Sequence, residues 1–229
     1  MLRPEDWGVV FLSLKVSLLA VGCVLPFAFL CAWLLARGRF PGRVLLDALV
    51  HLPLVLPPVV VGWVLLILFG TNGPIGGLLE RTFGLTVMFR WTGAAIAAAV
   101  MALPLMVRAI RLSLEAIDPR YEQAARSLGA DGPRRFLTVV LPLSLPGVLT
   151  GAILGFARSL GEFGATITFV SNIPGETQTL PIAIYSALQV PGEEGRVWTL
   201  AAVSVALSLA ALLVSEGLAR RGTKDGHVL

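Results

Sequence analysis

Apolar residues run through this chain in five long stretches, separated by short charged clusters and by proline and glycine. Val16–Ala36, Ala48–Gly70, Trp91–Val107, Phe136–Ala157 and Val197–Ser215 each approach the ~20 apolar residues that a helix needs to cross about 30 Å of hydrocarbon. The first is expected to begin earlier, near Val9, with Lys15 reaching along its stem to an interface. The third, short by itself, is expected to continue as helix past Arg108. The pattern therefore predicts spans over about 9–36, 48–70, 91–112, 136–157 and 197–215 within one membrane domain covering residues 1–229. Between Arg158 and Arg196 the apolar pieces Phe163–Val170 and Leu180–Val190 are too short to span. Pro174, Gly175, Pro181, Pro191 and Gly192 punctuate them. This segment reads as a partly membrane-embedded or surface-lying connection with one or two short helices, buried against protein because backbone polar groups need partners in lipid.

Composition sharpens that picture. Of 229 residues 56% are hydrophobic and 14% charged, with a mean hydropathy of +0.83, against roughly a quarter charged in a soluble domain. The fold class is all-α, integral to the membrane, with about five transmembrane helices. Soluble enzymes, nucleic-acid-binding modules and disordered tails are excluded, since none keeps so much apolar surface from water with so few charges. Cys23 and Cys31 are the only cysteines, both inside the first apolar run. A disulfide framework or cysteine zinc site is excluded, and no metal site is expected. The first run lacks a small-x-small cleavage pattern and reads as a retained span.

An odd number of spans places the termini on opposite sides, and the cations choose which. The flanks 37–47, 108–135 and 216–229 hold twelve Lys/Arg, while 1–15, 71–90 and 158–196 hold six. Positive flanks favour the cytoplasm, so the N-terminus is expected outside and the C-terminus inside. Trp7, Trp91 and Trp198 then fall at the outer ends of spans. No inverted half-to-half repeat is visible. Five helices are few for enclosing a solute pathway, and homodimerisation is the simplest remedy.

The long charged loop Ile110–Phe136 carries a helix signature. Asp118 is an N-cap, Pro119 suits the first helical position, Glu122 favours the positive helix end, and Gly129 supplies the stop. The helix so bounded, about 119–128, is too short to span and marginal alone. Tyr121, Ala124, Ala125 and Leu128 share a stripe, with Arg120, Glu122, Gln123 and Arg126 mainly on other faces. Such a stripe suits either the membrane surface or a partner's groove.

Gln123-Ala124-Ala125, three residues, Gly129, nine residues, then Val139-Val140-Leu141-Pro142 resembles the EAA loop of bacterial ABC-transporter permeases. That loop has the form E-A-A-x3-G-x9-I-x-L-P; here Gln123 replaces the Glu and Val139 the Ile. LLDALVHLPLVLPPVVVGW, AAVMALPLMVRAIRLSLE and FARSLGEFGATITFVSNIPGETQTLPIAIYSALQ further resemble the molybdate permeases of that family, with similar sequences in sulfate and tungstate permeases. The resemblance implies a type I ABC importer permease whose loop helix, through Asp118, Tyr121, Glu122, Gln123, Ala124, Ala125, Leu128 and Gly129, couples to a separate cytoplasmic ATPase. It also implies a homodimer in the bacterial inner membrane, two ATPase subunits inside, and a substrate-binding protein outside.

Seven prolines lie within spans: Pro26, Pro53, Pro57, Pro58, Pro104, Pro142 and Pro146. Each removes a donor and bends its helix, which a protein-lined cavity tolerates better than lipid does. Three prolines in the second span point to pathway shaping, with Pro57 and Pro58 the candidates. His51 reads as a hydrogen-bonded interfacial histidine. Arg158 and Glu162, four apart, read as a structural ion pair. Gly161, Gly164, Thr166, Thr168, Ser171 and Asn172 offer close backbone approach, hydroxyls and an amide, donors apt for passing an anion that must also leave. The chain has no G-x4-G-K-[ST] loop, no H-E-x-x-H and no plausible nucleophile triad. It is expected to be no enzyme and to hold no cofactor itself, with ATP and Mg2+ on the partner ATPase. A sulfate or tungstate permease, or a non-conducting membrane scaffold, is the alternative.

Overall fold

The computed structural model describes residues 3–225, all of whose regular elements are helical. Residues 1–2 and 226–229 lie outside it, as do the side chains of Arg220, Arg221 and Lys224, three of the cations on which the expected sidedness rests. Helix α1 runs Pro4–Arg37. Pro4 at its first position and Glu5 and Asp6 in its first turn start it earlier than Val9, because a missing N–H costs nothing there and acids complement the helix dipole. At about 1.5 Å per residue it is ~50 Å long, so it tilts or projects beyond the hydrocarbon.

Helices α2 (Arg43–Val55) and α3 (Pro58–Phe69) replace the single span read over 48–70, meeting at 116°. The break is steric. Leu56 and Pro57 each precede a proline and are driven out of the helical region, to ψ 143° and 133°. The two halves still traverse the bundle. Val50 of α2 packs with Val107, Ile110 and Leu114, whereas Val61 and Leu65 of α3 pack with Ala94, Ala97 and Ala98. These partners lie at opposite ends of α5 (Trp91–Glu115), so the bent pair reaches from one end of α5 to the other. Between α3 and α5 stands α4 (Gly76–Phe83), which no periodic signal announces.

Next come α6 (Pro119–Ser127), α7 (Gly132–Arg135), a π-helical turn over Phe136–Val140, and α8 (Leu141–Leu160). The π-turn lies just ahead of Pro142, whose missing N–H and bulky ring disturb the regular ladder; Leu141 N–H reaches back five residues to the Phe136 carbonyl. The centre of the bundle is α1, α5 and α8. Gly147, Gly151 and Gly155 recur every four residues on α8 against α5. A Cβ at Gly155 would stand 2.6 Å from Met106 Sδ, and one at Gly147 would collide with Ser113. Small residues at this spacing let backbones approach, the usual source of attraction between helices in lipid.

The segment after α8 forms α9 (Gly164–Val170), α10 (Leu180–Leu188) and the long α11 (Glu194–Asp225). Ser13 of α1 accepts the Leu180 N–H at 2.7 Å and donates to the Val9 carbonyl, pinning α10 to α1. At the same end, buried Asp6 meets Arg196 at 2.8 Å and Arg3 meets Glu193 at 2.9 Å. Glu193, by hydrogen bond and charge, raises the Arg3 guanidinium above its ordinary range.

Candidate functional site

The loop helix α6 is capped as its sequence dictates. Asp118 Oδ1 accepts the Arg120 N–H at 2.9 Å. At the other end Gly129 adopts φ +81°, with its N–H on the Arg126 carbonyl and the Ala130 N–H on the Ala125 carbonyl. This pairing satisfies the last carbonyls and needs a left-handed residue where only glycine is free of strain. Tyr121, Gln123, Ala124 and Leu128 are exposed, Leu128 to 89%, and Ala125 is half-buried. The apolar stripe therefore faces away from the rest of the chain.

Glu122 holds α6 to the body. Its carboxylate lies 2.8 Å from Arg37 Nη1 and 3.3 Å from Arg135 Nε, while Arg37 Nη2 donates to the Leu114 carbonyl at 3.2 Å. One short helix is thus tied to the ends of α1, α5 and the α7–α8 run. Sequence pattern placed Glu122 on a polar face but gave no sign of Arg37, 85 positions away, as its partner.

A second constellation gathers where α3 meets α9. Gly164 and Pro58 are in contact: a Cβ on Gly164 would stand 2.7 Å from Pro58 Cβ, and one on Gly62 would stand 2.6 Å from the Ala165 carbonyl. Pro57 forms the elbow beside them. Thr166 is buried, and Thr168 donates to the Gly164 carbonyl at 2.8 Å. Glu162, 3% exposed, meets Arg158 Nη1 at 2.7 Å and accepts the Ala165 N–H at 2.9 Å, fixing the start of α9. Gly161 is exposed between them.

Ser171 and Asn172 stand at the other end of α9, apart from Pro57 and Pro58. Ser171 has φ 62° and ψ −169°, a region populated essentially by glycine alone. Its carbonyl accepts the Thr177 hydroxyl at 2.9 Å, and Asn172 Nδ2 donates to Ser186 Oγ at 2.7 Å. No residue-type signal marks Ser171 for this conformation.

A cavity of about 520 Å³ opens between α2 and α5, where Val44, Ala48 and Leu112 share the lining with Asp47, His51, Arg108, Arg111 and Glu115. His51 Nδ1 is 2.9 Å from the Asp47 carbonyl and 3.2 Å from its carboxylate; Arg111 bridges Asp47 at 3.2 Å and Glu115 at 2.8 Å. Ionisable residues this close to apolar runs were the available signal.

Residues 25–224 match the family described as binding-protein-dependent transport system inner membrane component. The chain is 59% identical to the molybdenum transport system permease protein ModB of Escherichia coli K12, over 96% of each chain. It is 57% identical to ModB of Haemophilus influenzae over 93% of each. The sulfate transport system permease protein CysT of E. coli K12 is 45% identical over 71% of this chain and 58% of its own. Among solved structures, a bacterial alginate ABC transporter in complex with an alginate-bound periplasmic protein aligns with TM-score 0.75 at 17% identity, covering 97% of this chain and 81% of that one. The inward-facing MetNI methionine ABC transporter aligns with TM-score 0.68 at 18% identity, covering 97% and 99%.

Proposed function

The chain belongs to the family of binding-protein-dependent transport system inner membrane components, and from that premise we propose that it is the membrane-spanning permease subunit of an ATP-driven importer of molybdate. The observation that carries the cargo is the 59% identity to a molybdenum permease across almost the whole of both chains, against 45% over a shorter stretch for a sulfate permease. The chain is a transport subunit; hydrolysis of ATP, with its Mg2+, belongs to a separate ATPase.

Two copies form the pathway, each contributing its α2–α3 elbow and α9. The exposed apolar faces of α2 and α3, with Leu49, Val55, Val59 and Trp63 outward, support a second copy there. The N-terminus lies outside and the C-terminus in the cytoplasm, so α6 meets the ATPases and the opposite end meets the binding protein. ATP binding drives the switch between outward- and inward-open forms only as far as the ATPases bind one form better. The exposed stripe of α6 supports docking, and the Arg37–Glu122–Arg135 tie supports transmission of its movement into the bundle.

Uptake in a strain deleted for its molybdate permease tests the reading. Restored molybdate accumulation is expected, with tungstate competing more strongly than sulfate. Sulfate accumulation with no effect of molybdate would transfer the chain to sulfate transport, and no accumulation of any oxyanion beside an intact complex would leave a scaffold.

A further inference from the structure

A groove of about 540 Å³ lies between α1 and the α7–α8 run, with Phe29, Leu30, Trp33, Phe136 and Val140 as its floor and Arg135 and Glu122 at its mouth. We propose that this groove is a binding site for one anionic phospholipid of the cytoplasmic leaflet, an acyl chain on the aromatic floor and the phosphate at Arg134 and Arg135.

Three observations converge on that occupant. The floor is apolar and opens sideways from the bundle, with Leu30 half-exposed and Trp33 38% exposed, and tryptophan favours the headgroup level. Arg135 and Glu122 stand at the mouth, and Glu122 is shared between two guanidiniums, Arg135 and Arg37. Arg134, the residue before Arg135 in α7, is exposed; Asp131 Oδ1 accepts its backbone N–H at 3.0 Å, and its guanidinium has no carboxylate within ion-pair distance among the described residues. The volume is that of a small-molecule site. A neighbouring protein would have to fill an apolar slot and answer that charge together; an anionic phospholipid has both properties in one molecule. The site also touches the machinery of α6, because a phosphate on Arg135 competes with Glu122 for the same guanidinium. Occupancy would then loosen the tie between α6 and α7, to an extent set by membrane composition.

The test is native mass spectrometry of the full-length chain in detergent, offered equal amounts of phosphatidylglycerol and phosphatidylcholine with the same acyl chains. The wild-type chain is expected to retain the phosphatidylglycerol about fivefold over the phosphatidylcholine, the preference one surface cation confers. Arg134→Gln, at an exposed position, should bring the ratio towards one. Leu30→Trp, which fills the floor from an exposed position, should release both lipids while thermal unfolding stays unchanged. Equal retention by the wild-type chain, an undiminished ratio in Arg134→Gln, or undiminished lipid retention by Leu30→Trp each overturns the proposal. Displacement of the lipid by millimolar inorganic phosphate would assign a soluble-anion site instead, and retention confined to single-copy species would assign the groove to a second copy; either also overturns it. The readout is taken in detergent and depends on neither cargo nor sidedness, so it can fail while the transport reading stands.

Discussion

Removing either member of the Arg158–Glu162 pair should destabilise the chain, and by unequal amounts. The carboxylate is 2% exposed and the guanidinium 26%, at 2.7 Å. Arg158→Gln strands a buried negative charge whose remaining donor among the described residues is the Ala165 N–H. Stranding a buried charge costs about 3–5 kcal/mol, and the partial exposure of Arg158 favours the lower end. Glu162→Gln keeps a carbonyl for Ala165 and leaves behind a cation that can extend to water or headgroups. The expected loss is about 1–2 kcal/mol. The double substitution should cost less than the two singles together, with a coupling on the order of 2 kcal/mol. Thermal unfolding of the four purified proteins in one detergent, alongside molybdate uptake, measures the cycle. Losses additive within about 0.5 kcal/mol, or a larger loss in Glu162→Gln than in Arg158→Gln, would refute the reasoning. Independent roles, with Arg158 meeting the anion, would then stand in its place.

Gly129→Val should cost about 1–2 kcal/mol at a left-handed position and lower the amount of ATPase that co-purifies, while membrane insertion stays normal; an unaltered complex with unaltered uptake removes α6 from coupling. Ala124→Arg should weaken the same complex without destabilising the isolated permease, measured by co-purification and unfolding in parallel. Ser171→Gly should raise the unfolding midpoint by relieving about 1 kcal/mol or more of backbone strain, whereas Ser171→Ala should not; equal midpoints would mean the strain is absent in solution. Gly147→Val should cost about 1–3 kcal/mol by driving α8 from Ser113 of α5. Cysteine labelling at Arg3 and Asp131 should find opposite sides of the membrane, and labelling of both from one side refutes the assigned topology.

The long spans were legible because burial in lipid and helical hydrogen bonding act on whole stretches of sequence. The elbow was half legible. Pro57 and Pro58 announce a break, but the 116° turn is fixed by where Val50 and Val61 find partners along α5. Asp118, Pro119 and Gly129 bound α6 by local chemistry, which a sequence carries in full. Glu122 depended on Arg37 and Arg135, a tertiary pairing with no local trace. The Gly147, Gly151, Gly155 repeat carries the α5–α8 seam in the sequence, as a glycine every four positions on one face of α8. Ser171 could not be read at all, since its backbone conformation is imposed by the loop that Thr177 closes.

The tie through Arg37 has a consequence for how this protein can be recombined. A short loop bounded by Asp118 and Gly129 has the outline of a cassette to exchange between permeases. Here the cassette is anchored outside itself. Its carboxylate is answered by the last residue of α1, which also closes the end of α5 through the Leu114 carbonyl. A chimera carrying residues 118–135 into a permease without an arginine at the position of Arg37 would import the helix with one of its tethers cut; under the coupling role proposed for α6, it would bind its new ATPase better than it obeys it.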